Sequence, residues 1–444
     1  MKLYFPSLFI LLIFFIACDS TSKKNSTISD QKDEHYYQID RSVYFDKLEG
    51  FWLAESIANW TGLTTEMDKI GYSMKNGLGG GFYTRADWGK ADIPSIWGGT
   101  KDQKVIDFVL LGQDSIWGSD DDTDIEYIYQ ELTTKSEDVV LSPEQIKNGW
   151  LKHIKKEEEN FLWVSNQTAF DLMQKGILPP QTGQAAFNNF YEMIDAQLTT
   201  EIFGLYAPLH PEIALKLSHL PIRTSADGNA IDIAEFYVTM HALASLDSSF
   251  TNLKEQTVWM AEQASMQLAP NQYPAKMYQY IKSLYEQKIP WEAARDSLHQ
   301  KYQIRNEDGY EWSKKDSICY GCIAAGINFG ASLVSLFYGE GEIKETIKIG
   351  SLCGWDSDNP TATWGGLLGF MMGKKKIEEA FGMKFSNRYN IHRTRIGFPN
   401  NGIDTFDQMA DKGLKIVDKV VVQMMKGKLD TTKNVWLIPK SKIE

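Results

Sequence analysis

Small residues set at helical spacing constrain this chain more than any other feature. Between Asp46 and Asn59, Gly50, Ala54 and Ala58 recur at i, i+4 and i+8 among Phe51, Trp52, Leu53 and Ile57. A helix with such a flat stripe lets another helix approach closely. A second small-residue run, Thr361-Ala-Thr-Trp-Gly-Gly-Leu-Leu-Gly369, reads as a tightly packed helix from Pro360 to Met372. It follows a polar turn, Cys353-Gly-Trp-Asp-Ser-Asp-Asn359, in which Asp356 and Asp358 sit one residue apart.

The remaining periodic segments also read as helices. They run over Asp122–Leu132, Ser142–Lys155, Ser165–Lys175, Ala185–Phe203, Pro211–His219, Asn229–Leu246 and Phe250–Gln267. Ala275–Gln287, Trp291–Tyr302, Ile323–Tyr338, Glu342–Leu352 and Thr405–Met425 complete the set. Ser142-Pro-Glu-Gln145 is a capping box with Pro at the first helical position. Gly373 suits a helix C-terminus, with Lys374-Lys-Lys376 a solvated turn after it. Val105 to Leu111 reads as a short strand or extended segment. Alternating β-branched runs are scarce, so the expected fold is all-α, built on one core without an interdomain linker.

The N-terminus is a targeting segment. Lys2 precedes an apolar run from Leu3 to Ala17 that is too short for a stable transmembrane anchor. Phe15-Ile-Ala-Cys18 resembles a bacterial lipoprotein processing site, which makes Cys18 the lipid-bearing residue. The expected division is a signal peptide over 1–17, a flexible polar tether over 18–43 and a catalytic domain over 44–444. The expected location is a bacterial cell envelope, lipid-anchored on the periplasmic or cell-surface side. A net charge of −12 argues against nucleic acid and against an anionic membrane surface, leaving the lipid as the membrane contact. Cys319-Tyr-Gly-Cys322 has a redox or half-zinc spacing but lacks a second such pair, so Cys319, Cys322 and Cys353 read as buried free thiols. Asn76-Gly-Leu-Gly-Gly-Gly81 lacks a Walker lysine and reads as loop freedom. Trp88 and Trp97 lie in an irregular aromatic loop that would suit a sugar platform.

Two acidic clusters carry the chemistry. Ser119-Asp-Asp-Asp-Thr-Asp124 opens one helix and Asp356-Ser-Asp358 opens another. Aspartate suits a helix N-terminus, but three in succession exceed what capping needs. Like charges this close call for a hard divalent cation, and oxygen ligands without His or Cys suit Mg²⁺, Mn²⁺ or Ca²⁺. The expectation is a metal site that joins the two ends of the chain.

These residues also resemble the ADP-ribosylglycohydrolase family, which includes the dinitrogenase-reductase-activating glycohydrolases. The family's first metal motif, Thr-Asp-Asp-Thr, is similar to Asp120-Asp-Asp-Thr123. Its C-terminal motif, Gly-Gly-Asp-Thr-Asp-Thr, is similar to Gly354-Trp-Asp-Ser-Asp-Asn359. Gly50 to Glu66 follows its N-terminal signature without gaps, with Asn59 where Asp is common. Ile202-Phe-Gly-Leu-Tyr-Ala-Pro208 and Ser225-Ala-Asp-Gly-Asn229 resemble its central segments, though Ala226 stands where a His is often found nearby.

The resemblance implies a compact orthogonal multi-helix bundle holding two Mg²⁺ ions, with Mn²⁺ or Ca²⁺ as alternatives. Asp121 and Asp122 would ligate one side of the centre and Asp356 and Asp358 the other, with Asp120 and Asn359 as further candidates. Glu66 would be the catalytic carboxylate, as general acid/base or water-orienting group. Asn328, Trp355, Thr61 and Gly62 would contact the substrate. The implied activity is metal-dependent hydrolysis of a ribosyl-type N- or O-glycosidic bond, of an ADP-ribosylated protein or related conjugate. Two alternatives stand beside it. One is the same fold acting on an envelope or dietary saccharide or a nucleoside. The other is a non-catalytic ligand-binding lipoprotein.

Overall fold

The computed structural model describes residues 35–440 apart from 72–79, 94, 96–103, 157–158, 247–249, 316–318 and 320. The expected signal segment, Cys18, Trp97 and most of the glycine-rich loop lie outside the described residues. The elements in chain order begin with β1 (Tyr36–Asp40), α1 (Arg41–Gly62), β2 (Trp117–Gly118), α2 (Asp121–Lys135), α3 (Pro143–His153) and α4 (Val164–Gln174). They continue with α5 (Asp195–Leu198), α6 (Ile202–Leu205), α7 (Pro211–Ile222), α8 (Asn229–Leu243), α9 (Leu253–Ser265), α10 (Tyr273–Glu286) and α11 (Trp291–Leu298). The last set is α12 (Trp312–Lys315), α13 (Ala325–Gly339), α14 (Ile343–Cys353), α15 (Asp358–Met372), α16 (Lys374–Phe381), β3 (Arg388–Asn390), β4 (Ile403–Thr405), α17 (Phe406–Gln423), β5 (Lys428–Asp430) and β6 (Val435–Pro439).

The architecture is all-α, as the periodicity requires, and α1 is its axis. Asp40 caps α1 by accepting from Ser42 N and Val43 N. Its most extensive partner is α15. The small stripes of the two helices meet: a Cβ on Gly365 would lie 2.9 Å from Ala54 O, and one on Gly50 would lie 2.8 Å from the Gly373 carbonyl carbon. Gly62 meets Asp358 while Gly50 meets Gly369, so the two helices run antiparallel. The start of α15 therefore lies against the end of α1. Helices α13, α14 and α15 pack in succession, and α2 lies against α17 and α3.

Two small sheets close the chain on itself. β1 and β5 flank β6 in an antiparallel sheet that joins the two ends of the folded unit. In the other, β2 pairs parallel with β3, and β3 antiparallel with β4. Ser119, just after β2, donates its N–H to Asn390 O at 3.1 Å, and its hydroxyl lies 2.7 Å from the Thr394 hydroxyl. That sheet fixes the start of α2 against the segment carrying Arg393 and Arg395. Among the described residues no helix is long and apolar enough to cross a membrane.

Several expectations are corrected. The folded unit begins at Tyr36, not Tyr44, because β6 captures the last residues of the expected tether. Ala185–Phe203 is not one helix: only α5 and the start of α6 are helical there. Asn188 explains the failure, since its amide donates to Ser165 O and Thr182 O and its Oδ1 accepts from Phe190 N. Side-chain bonds to the backbone offer the chain an alternative to helix. Ser165 does not cap α4, because its hydroxyl is turned to Asp195. Lys374–Lys376 opens α16 instead of forming a turn. Val105 makes an isolated bridge with Ala91 and starts no strand. Cys319 and Cys322 are joined in a disulfide, leaving Cys353 as the free, buried cysteine among the described residues.

Candidate metal centre

Three chain segments converge where α1 ends. The turn after α1 carries Glu66, the start of α2 carries Asp120 to Asp122, and the α14–α15 turn carries Asp356 and Asp358. The α14–α15 turn needs left-handed backbone at Gly354 (φ +87°) and Trp355 (φ +59°). A side chain at Gly354 would strike Lys69 O, so glycine is required there. Trp355 is held in its conformation from two sides. Its indole donates to Gln303 at 2.8 Å and its carbonyl accepts from Met67 N at 2.7 Å.

Hydroxyl groups stitch the Glu66 turn to the aspartate turn. Thr65 Oγ1 lies 2.9 Å from Ser357 Oγ and donates to Ser351 O, while Ser357 Oγ donates to Gly62 O at 3.0 Å. The result brings one carboxylate oxygen each from Glu66, Asp356 and Asp358 within 4.8 Å of one another. Asp122 faces the same cluster. Its oxygens accept from the amides of Asn59 (3.1 Å) and Asn359 (3.2 Å).

The electrostatics follow from this crowding. Burial first, then neighbouring carboxylates, hold Glu66, Asp121, Asp122 and Asp358 well above the usual carboxylate range. Burial pushes Asp356 up to about 6. The nearest cation compensates only one edge: Arg393 Nη1 lies 2.6 Å from Asp120 Oδ1. Asp358 Oδ1 is buried with no hydrogen-bond partner. An all-oxygen set of this kind, with an orphaned oxygen inside it, fits hard divalent cations.

The other expected site residues are placed differently. Asn328 is fully buried and holds the aspartate turn: it donates to Cys322 O and Ala324 O and accepts from Asp356 N at 3.3 Å. Trp355 is also fully buried, beneath the turn it belongs to. Thr61 is buried, donating to Ile57 O and accepting from Val109 N, and Gly62 is packed against Ser357, Asp358 and Thr361. All four are packed around the Glu66 and aspartate turns. Asn359 turns its amide N–H to Asp122 while Gln197 donates to its Oδ1. It braces Asp122, and its Oδ1 is engaged by Gln197. Asp120 takes Arg393 and, at 3.4 Å, the Asn59 amide. Trp88 is half-buried against Phe108 and Lys348.

Residues beyond the sequence reading complete the site. Arg393 carries the charge beside Asp120, and its guanidinium lies over the rings of Trp60 and Phe161. Asp195 acts on Asp356 electrostatically and is itself pushed to about 6 by burial. Gln197 and Asp195 lie in the segment misread as a continuous helix. Their polar side chains among apolar neighbours were the signal available there.

A helical core whose first and last small-residue helices bring acidic turns from distant parts of the chain into one half-buried centre defines the class of protein. The profile of the ADP-ribosylglycohydrolase family matches residues 40–410, and the chain belongs to that family. Membership supports glycohydrolase activity in general. No curated protein matches the chain. Among solved structures, one described as an "ADP-ribosylglycohydrolase-related protein complex" is similar, with 14% identity, a TM-score of 0.46, and coverage of 85% of this chain and 98% of that one.

Proposed function

We propose that this protein is a metal-dependent glycohydrolase acting on a ribosyl-type N- or O-glycosidic bond, as in an ADP-ribosylated protein or related conjugate. The observation that carries this reading is the meeting of Glu66, Asp356 and Asp358 oxygens within 4.8 Å, with Asp122 braced beside them. Asp121, Asp122, Asp356 and Asp358 would hold two divalent ions, with Mg²⁺ the expected metal. Bound there, the ions supply Lewis-acid polarisation and a fixed site for water and ribose hydroxyls. Glu66 stands within the cluster, placed to orient the attacking water or to exchange its proton. The positive charge that develops on the sugar in glycosidic cleavage is matched by this concentration of carboxylates. Asn328, Asn359 and the Thr65–Ser357 contact keep the carboxylates in place.

A second reading rests on Ala226. It is buried, with its N–H donated to Ile222 O, and it offers no imidazole where the family often has one. That favours a glycoside without a diphosphate, such as an envelope or dietary saccharide or a nucleoside. The protein would work as a lipoprotein of the bacterial envelope, anchored through Cys18. Membrane retention and lipid labelling that survive Cys18→Ser would refute the anchor.

The decisive assay is release of ADP-ribose from a conjugate. Activity abolished by chelation, restored by Mg²⁺ and reduced at least about 100-fold by Glu66→Gln supports the first reading. Inactivity there, with chelator-sensitive release of reducing sugar from a glycan library, selects the second. Retained ligand without turnover in metal-replete protein would make it a binding lipoprotein.

A further inference from the structure

One helical turn deeper than the aspartate centre lies a second set of carboxylates. Glu55 precedes Asn59 by four residues on α1, and Glu126 follows Asp122 by four on α2. The i, i+4 spacing of both helices therefore repeats the juxtaposition that builds the aspartate centre. Glu201, just before α6, is the third member. One oxygen from each of Glu55, Glu126 and Glu201 lies within 4.8 Å of the other two. All three side chains are fully buried, at 0%, 0% and 1% exposure.

The hydrogen bonding is ordered. Glu126 Oε1 accepts from Ile202 N at 2.8 Å, and Glu201 Oε1 accepts from the Thr363 hydroxyl at 2.9 Å. The other oxygen of each has no donor, nor has either oxygen of Glu55. Four buried oxygens on three residues are thus without a donor. The charged groups acting on Glu55 are themselves carboxylates: Glu126, Glu201 and Asp122. Uncompensated buried charge of this density is strongly unfavourable. A proton shared between Glu55 and Glu126 would satisfy two of the four oxygens and leave the rest orphaned. A cation would be met by one oxygen from each of the three glutamates. Two of the three carboxylates, Glu126 and Glu201, are steered by a hydrogen bond to one oxygen while the other is left open, as in metal sites.

We propose that Glu55, Glu126 and Glu201 form a third, buried cation site, taking a hard, oxygen-seeking divalent ion that holds α1, α2 and the start of α6 together. The site goes beyond the catalytic centre and does not depend on its chemistry. Its ion is structural, enclosed in the core with no exposed ligand.

The test is anomalous scattering from crystals of protein produced with Mn²⁺, compared with Glu55→Gln and Glu201→Gln, which keep side-chain volume. The expected result is an Mn²⁺ peak about 2.0–2.6 Å from oxygens of all three glutamates. That peak should vanish in both variants while any peaks at the aspartates remain. Melting gives the second readout: wild type should lose stability on exhaustive chelation, and each variant should lose at least half of that chelator-dependent change. Mn²⁺ at the aspartates alone, with wild type and variants responding alike to chelation, would overturn the site in favour of carboxyls sharing protons. Mn²⁺ at the glutamates alone would support it while defeating the proposed catalytic centre.

Discussion

Gly62→Ala separates a positioning role from a substrate-binding one. A Cβ at Gly62 would lie 2.5 Å from Asp358 Cα and 2.7 Å from Ser357 O, and would press on Thr361 Oγ1. Carbon atoms in contact prefer about 3.5–4.0 Å, so the end of α1 and the aspartate turn must part by about 1 Å. Two of the three obstacles are backbone atoms, which cannot turn away. Alanine is intrinsically better in a helix by about 1 kcal/mol, while overpacking costs about 1–3 kcal/mol. The net stability change is therefore small, about 0–2 kcal/mol. The displacement falls on Asp358 and, through the Ser357–Thr65 contact, on Glu66. A misplacement of about 1 Å at a reacting centre costs about 100-fold in rate. The assay pairs Mn²⁺ titration and hydrolysis rate with thermal unfolding. Gly112→Ala serves as control, since nothing lies within 4 Å of its added Cβ. Expected is a melting temperature within a few degrees of wild type, with Mn²⁺ affinity and rate reduced at least tenfold, about 1.4 kcal/mol or more. Unchanged Mn²⁺ affinity and rate would refute the claim that this contact places Asp358.

Arg395 and Asp124 form an ion pair at 2.7 Å with both side chains fully buried. Arg395→Leu should cost about 3–5 kcal/mol in chemical denaturation, because Asp124 is left in the core without its counter-charge, and adding Asp124→Asn should recover part of the loss. His241 is fully buried, accepts no partner at Nε2, and is pushed down from 6.5 to about 4 by burial. Its contribution is therefore complete above pH 6.5 and is lost as pH falls through 6.5 toward about 4. Over that window wild type should lose about 3 kcal/mol more than His241→Leu. Parallel pH–stability curves for the two proteins would exclude this assignment.

The helical core was legible because its signals are local. The Ser142 capping box, the small stripe of α1 and Gly373 at the end of α15 each act through neighbouring residues. The aspartate clusters were legible as well, since their density exceeds what helix capping requires. What escaped the sequence depends on long-range contact. Glu55, Glu126 and Glu201 look like ordinary residues of amphipathic segments until three elements place them together. Arg393 reaches Asp120 across a parallel pairing of β2 with β3 that two-residue strands do not announce. The α4–α6 region misled because Asn188 and Asp195 spend their side chains on distant backbone and hydroxyl groups. Asn328, Trp355, Thr61 and Gly62 lie beside the aspartate turn, and their burial is another long-range property that local sequence signals do not carry.

The departures from the family's motifs also gain a physical account. Asn59 stands where the family commonly has Asp, and Asp120 where it has Thr. The two are neighbours: the Asn59 amide lies 3.4 Å from Asp120 Oδ2 and 3.1 Å from Asp122 Oδ2. One exchange removes a negative charge and the other restores it a few ångströms away, with Arg393 beside it. The total charge offered to cations is thereby preserved while its position moves toward α2. Asn59→Asp alone should therefore be harmful. It replaces an amide donor by a carboxylate about 3.4 Å from Asp120, a repulsion of about 4–5 kcal/mol at an effective dielectric constant of about 20. Asn59→Asp with Asp120→Thr should recover the part of that loss due to Asp120, while the repulsion from Asp122, 3.1 Å from the Asn59 amide, remains. Chemical denaturation in chelator measures both. If Asn59→Asp is as stable as wild type without added cation, or if the double variant is no better than the single, the two positions are not coupled and the exchange is coincidence.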